Sequence, residues 1–190
     1  MTIVLIGAMG VGKSTVGALL AEKLKLPQFS IDDHRFDYYA EAGYDEDKAR
    51  EIHQAEGMKG IIRYWKDFEA YAVERIMQDY PDHIIDLGAG HSVYEDEAHF
   101  AKVAQALAPH PVILLQPSAD EAESIKILND RFVEMHSEEL GGEIEPFIFE
   151  LNAHFVQHPS NRKLAKMTVY TKDKTPQQTC DEIIKRLQSV

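Results

Sequence analysis

Residues 2–25 read TIVLIGAMGVGKSTVGALLAEKLK, and this stretch decides the fold. Residues 2–6 are an apolar run with β-branched members, which predicts a buried strand of a parallel sheet. Residues 7–14, GAMGVGKS, match the pattern G-x-x-x-x-G-K-[ST]. Val16, Leu19, Leu20 and Leu24 recur behind them at helical spacing. Strand, glycine loop and helix stand in the order that a phosphate-binding loop requires. Gly7 and Gly12 permit backbone conformations that a side chain would block, so successive N–H groups can converge on phosphate oxygens. The expected nucleotide contacts are Gly7, Met9, Gly10, Val11, Gly12, Lys13, Ser14 and Thr15. Lys13 can reach the β- and γ-phosphates, the Ser14 hydroxyl can ligate Mg²⁺, and the helix dipole favours the anion.

Length and composition set the frame around that loop. The 190 residues suit one α/β domain, 1–190, with 44% hydrophobic and 27% charged residues. A formal charge of −12 argues against nucleic acid or an anionic membrane as the main partner, since phosphate contacts need clustered Lys and Arg. A single cysteine, Cys180, excludes an internal disulfide and fits a reducing cytoplasm. It falls among Ile183, Ile184 and Leu187 in an amphipathic pattern, which predicts core packing. The chain enters a strand at once, leaving no room for a signal peptide, and no apolar run reaches membrane-spanning length. The expected protein is cytoplasmic, a monomer or homodimer, acting on a small molecule.

Strands and helices alternate along the rest. Residues 28–31 read as a second strand ending at Asp32-Asp33, residues 34–42 as a polar helix stopped by Gly43, and residues 47–56 and 60–79 as helices. Residues 83–87 form a third strand opening into Gly88-Ala89-Gly90. A helix over 95–108, a strand over 112–115 and a helix over 120–132 with Ser118 as N-cap follow. Residues 134–160 are acidic, carry Gly141-Gly142 and read as a mobile lid with a helix at 147–156. A strand over 167–170 and a helix opened by Pro176 and running to Leu187 complete the chain. Alternation of this kind predicts a three-layer α/β/α fold on a five-stranded parallel sheet. Ligands of such sheets bind beyond the carboxyl ends of the strands, so the loop, Asp32-Asp33 and the Gly88 turn converge. That makes a nucleotide site into a two-substrate site.

With those tips in view, the chain resembles the shikimate kinases of the nucleoside monophosphate kinase-like P-loop group. The resemblance places Asp32 on the family's substrate-binding aspartate, the second Asp of its D-x-D, and Ser30 on the first. Glu56-Gly57 followed by Arg63 is similar to E-G-E-x-x-F-R, which implies a substrate-carboxylate role for Arg63. Gly88, Ala89 and Gly90 stand where the family has three glycines closing on substrate. Arg131, in a segment like L-x-x-R, would stack on adenine, and Pro176 would cover its other face. Two departures matter more than these matches. The family's lid arginine has no counterpart in Glu145-Pro146-Phe147-Ile148, and a carboxylate-clamping arginine falls on Gln157. Losing bidentate guanidinium groups points to a less anionic acceptor than shikimate.

The expected activity is transfer of the γ-phosphoryl of Mg·ATP to a hydroxyl of a small molecule. Lys13, Asp32 and Arg63 would be catalytic, with Asp32 taking or orienting the acceptor proton. Ser14 and Asp86, the latter at the end of a buried strand, would hold Mg²⁺. A nucleotide-dependent binding module or slow ATPase is the rival from another class, and shikimate kinase itself the rival within kinases. Asp33 reads as a helix cap as readily as a catalytic group. His91, beside the glycine turn, could bond an acceptor hydroxyl but reads more simply as a partly exposed loop residue, and Trp65, with Tyr64 and Phe68, reads as packing or a pocket wall. Arg162 could replace the lid arginine. His154 and His158 share a helix face at a spacing met in zinc sites, but no convincing third ligand is visible.

Overall fold

Strand β1 (Ile3–Ile6) is wholly buried because it lies in the middle of a sheet covered on both faces. In the computed structural model, which describes residues 1–136 and 146–189, β1 pairs in parallel with β3 (Ile84–Asp86) on one side and β4 (Val112–Gln116) on the other. The outer strands are β2 (Gln28–Ser30) and β5 (Met167–Tyr170), so the five strands run in the order β2-β3-β1-β4-β5. Successive side chains of each strand point to opposite faces and feed two cores. Val4, Ile6, Ile85, Val112 and Leu114 pack against α3 (Glu46–Asp79) and α4 (Glu97–Leu107). Ile3, Leu5, Ile84, Ile113 and Leu115 pack against α1 (Lys13–Leu24), α5 (Glu121–His136) and α8 (Pro176–Leu187). Cys180 lies fully buried in this second core. Helices on both faces of a parallel sheet give the three layers that the sequence predicts.

Several boundaries differ from the sequence reading, each for a local reason. Strand β2 stops at Ser30, and α2 (Ile31–Glu41) begins at once. Asp32 and Asp33 therefore sit in the first turn of a helix, where carboxylates are favoured by the dipole. Asp33 is thus not a cap, and the N-cap Ser30 makes no capping bond because its hydroxyl turns to Asp86. The two helices expected over 47–79 are present, but they meet directly at a kink instead of being separated by a loop: only Gly57, with φ 65° and ψ −160°, leaves the helical conformation within α3. Ser118 does not cap α5. Asp120 does, its Oδ1 accepting from the Glu123 amide at 2.9 Å, while Ser118 Oγ accepts from the Asp120 amide.

Within the expected lid, α6 (Pro146–Gln157) contains the predicted helix and a short α7 (Pro159–Leu164) follows it unforeseen. Gly141, Gly142 and Glu145 lie outside the described residues. No helix among the described residues is long and apolar enough to cross a membrane.

The 34-residue α3 carries much of one face, and its start depends on Asp45, whose Oδ1 accepts from the amides of Asp47 and Lys48 at 2.9 and 3.0 Å. Asp45→Ala is expected to cost about 1 kcal/mol. A urea transition with a lowered midpoint and an unchanged slope would register that loss.

Candidate functional site

The glycine loop joins β1 to α1 in the geometry that anion binding needs. Gly12, at φ 96°, is the N-cap of α1, and no acidic residue occupies the first turn of that helix. The positive end of α1 is therefore left uncompensated beneath the loop. Gly7 combines a φ of 142° with a close approach, since a Cβ there would stand 2.4 Å from the Leu115 carbonyl oxygen. Lys13 is buried, and its Nζ donates to the carbonyls of Gly7 at 3.0 Å and Ala8 at 3.2 Å. Burial holds its pKa below the usual lysine range, against the opposing charges of Asp32 and Asp86. Asp86 at the end of β3 and Asp32 in the first turn of α2 thus both act on the loop lysine.

Asp86 collects the polar groups around Ser14. Its Oδ1 accepts from Ser14 Oγ at 3.4 Å and Ser30 Oγ at 3.3 Å, and its Oδ2 from Gln28 Nε2 at 2.9 Å. The carboxyl is 1% exposed, and burial pushes its pKa up while the Gln28 bond, Lys13 and Ser14 pull it down. Hydroxyl and carboxylate oxygens are the donors that a hard, partly hydrated cation such as Mg²⁺ takes, so Ser14 and Asp86 fit that ion. Ser30, standing where the resemblance places an aspartate, acts here through its bond to Asp86.

Beyond these groups a cavity of about 390 Å³ opens between α2, α3, α6 and the 3₁₀ turn Ala89–Ser92. Its polar lining is Asp32, Arg35, Glu69 and His91, its floor is the Gly88-Ala89-Gly90 turn, and its apolar wall includes Ile62, Leu151 and Phe155. The turn needs its glycines. A Cβ on Gly88 would lie 2.5 Å from Asp32 Oδ1 and 2.8 Å from His91 Nδ1, and one on Gly90 2.5 Å from Glu69 Oε1. Gly88→Ala should therefore displace Asp32 or the turn at a cost of about 1–3 kcal/mol. The expected readout is a raised KM for the acceptor with ATP affinity unchanged, measured by steady-state kinetics and nucleotide titration.

A buried ion pair fixes the same turn. Lys66 Nζ donates to Glu69 Oε2 at 2.7 Å and to the carbonyls of Gly90 and Val93 at 3.0 Å each. All three of its protons are thereby used. Glu69 is held above the usual carboxylate pKa by burial, with Lys66 and Arg35 drawing it back.

Asp32, Gly88, Ala89 and Gly90 meet in the cavity, and Met9 joins them from the loop. Arg63 does not line it. Its guanidinium is exposed and pairs with Glu56. Arg131 is half-buried on α5, one turn after Leu128, whose carbonyl borders Gly10, and Pro176 is exposed at the start of α8. Arg162 pairs with Glu121, and Gln157 is exposed at the end of α6.

His91 corrects the sequence reading: it is 1% exposed, with Nε2 3.0 Å from the Tyr39 hydroxyl, and burial holds it well below the usual imidazole pKa. Trp65 is both packing and cavity wall, with the Arg35 guanidinium 5.0 Å from its ring. No sequence motif marks three residues that the structure brings to the site: Arg35, whose Nη1 is 3.7 Å from Asp32 Oδ1, Lys66 and Glu69. The spacing of Arg35 from Asp32, three along a helix, was the available signal.

The shikimate kinase family model matches residues 9–188. A sequence search of curated proteins gives no match. Among solved structures, shikimate kinase from Acinetobacter baumannii in complex with shikimate is 20% identical over 99% of this chain and 93% of that one, with a TM-score of 0.66. Shikimate kinase from Bacteroides thetaiotaomicron is 17% identical over 100% and 96%, with a TM-score of 0.59. A gluconokinase from Sinorhizobium meliloti 1021 is 14% identical over 99% and 95%, with a TM-score of 0.50. At these identities the likeness is one of fold.

Proposed function

Because this chain belongs to the shikimate kinase family, we propose that it transfers the γ-phosphoryl group of ATP to a hydroxyl of a small molecule less anionic than shikimate. The observation that carries this reading is that the phosphate loop stands between Asp86, which bonds Ser14, and the cavity that Met9 of the loop lines together with Asp32. Asp32 would accept the proton of the acceptor hydroxyl as its oxygen bonds to the γ-phosphorus. The bond from that phosphorus to the β–γ bridging oxygen breaks, and ADP leaves with the electron pair. Lys13 would exchange the Gly7 and Ala8 carbonyls for phosphate oxygens and keep its charge at the site of transfer. Ser14 and Asp86 would hold Mg²⁺, which when bound neutralises charge on the β- and γ-oxygens.

The charge of the cavity favours the less anionic acceptor. Both carboxylates of its lining are already paired, Asp32 with Arg35 and Glu69 with Lys66, so among the described residues no lining cation is left over for an anionic substrate. Arg63 is engaged with Glu56. A carboxylated substrate would have to displace one of these pairs to gain a bidentate partner.

The test is ATP turnover with and without neutral polyols, shikimate and gluconate. Acceptor-stimulated ADP release with a phosphorylated neutral product supports the reading. Preference for shikimate or gluconate overturns the charge assignment, and acceptor-independent hydrolysis replaces the kinase by a slow ATPase.

A further inference from the structure

At the end of α6, away from the phosphate loop, Glu95, His154 and His158 come together from two distant parts of the chain. His154 Nε2 lies 2.9 Å from Glu95 Oε1, and the rings of His154 and His158 have centroids 5.2 Å apart. One potential ligand atom from each of the three lies within 4.8 Å of the others. We propose that this trio binds a divalent transition-metal ion of the zinc class and clips α6 to the segment that leaves the glycine turn.

The donor set decides the class of ion. Two imidazoles and a carboxylate suit Zn²⁺ or Co²⁺, whereas Mg²⁺ and Ca²⁺ take oxygen. Tetrahedral bonds of about 2.0–2.2 Å bring ligand atoms to about 3.4 Å from one another, a contraction that the exposed Glu95 and His154 side chains can make by rotation. Three protein ligands leave a fourth position for water. A ligating imidazole must be neutral, and burial already holds His158 below the usual pKa, helped by His154, Lys66 and Lys163 and opposed by Glu95.

The neighbouring cations are engaged elsewhere. Lys66 donates to Glu69, Gly90 and Val93, Lys59 pairs with Glu150, Arg63 with Glu56, and Lys163 lies over the Phe100 ring. The cost falls on His158 Nδ1, which accepts from the Ser160 amide at 3.3 Å and would give up that long capping bond. The benefit reaches the cavity. Phe155 and Leu151 of α6 form its wall, and Glu95 lies five residues past Gly90 on its floor. A bound ion would tie wall and floor together.

The experiment titrates chelator-treated protein with Zn²⁺ by calorimetry and with Co²⁺ by visible absorption, without ATP or Mg²⁺. One equivalent is expected to bind, with a tetrahedral Co²⁺ spectrum and a raised Tm. His154→Ala and His158→Ala should each weaken binding by more than the about 10–100-fold that losing an outer-shell partner costs. Metal-free melting curves matching the parent would show that these variants fold. Absence of stoichiometric binding, or equal affinity in the His154→Ala/His158→Ala double variant, overturns the site. Undiminished binding in Glu95→Gln removes the carboxylate and with it the clip.

Discussion

Lys13→Ala is expected to lower acceptor-dependent ATP turnover by about 10²–10³-fold, the cost of removing one preorganised charge from a developing phosphoryl transition state. The same change should also make stability less dependent on pH. Lys13 is a buried cation whose folded pKa is depressed, first by desolvation. Between that lowered pKa and the unfolded value near 10.5, the unfolded chain binds more protons than the folded one. Stability attributable to this group therefore rises with pH and is lowest where the lysine is charged in both states. Alanine removes that penalty together with two hydrogen bonds to the Gly7 and Ala8 carbonyls. Parallel measurements of turnover, nucleotide affinity and Tm against pH separate the two effects. Unchanged turnover would remove the phosphate-loop assignment, and a collapse in Tm would mean that Lys13 holds the loop rather than a ligand.

What could be read from the sequence is what is local in it. The loop was legible because its strand, glycines and helix are contiguous, and each residue's part is set by its neighbours within a turn. The buried strands were legible for the same reason: Ile3 to Ile6 must be apolar at every position when both faces of a parallel sheet are covered. Strand ends were less so. Whether Ile31 continued β2 or began α2 depended on Ser30 spending its hydroxyl on Asp86, 56 residues away.

The acceptor cavity escaped for a related reason. Glu69 and Lys66 look like an ordinary helix-surface pair three residues apart, and only the packing of α3 against the 3₁₀ turn buries them. His91 follows a glycine turn and is polar, so exposure was the reasonable expectation. The Tyr39 hydroxyl from α2 covers it instead. Arg63 shows how far a motif reaches: the motif suggests a substrate role, but Glu56, the residue just before Gly57 and seven before Arg63, holds the guanidinium on the surface here. Motifs carry identity over short spans, and side-chain direction is settled by what packs beside them.

Asp32→Asn should separate the two halves of the site. The amide keeps the size of the side chain against Gly88 but can neither take a proton nor balance the charge of Arg35, 3.7 Å away. Transfer to the acceptor is expected to fall by about 10²–10⁴-fold, the range of a lost general base. ATP affinity near neutral pH should scarcely move, because the loop amides, Lys13 and the Ser14–Asp86 pair are intact. A second signature follows from electrostatics. The charge of Asp32 opposes the desolvation of Lys13 more strongly than that of Asp86 does. Without it, Lys13 loses its proton at lower pH, so the alkaline limb of ATP binding should shift toward neutrality in the variant. Pre-steady-state transfer and nucleotide titration across pH measure both. Equal losses in transfer and in ATP affinity at neutral pH would instead place Asp32 among the metal ligands, with Asp86 no longer sufficient beside Ser14.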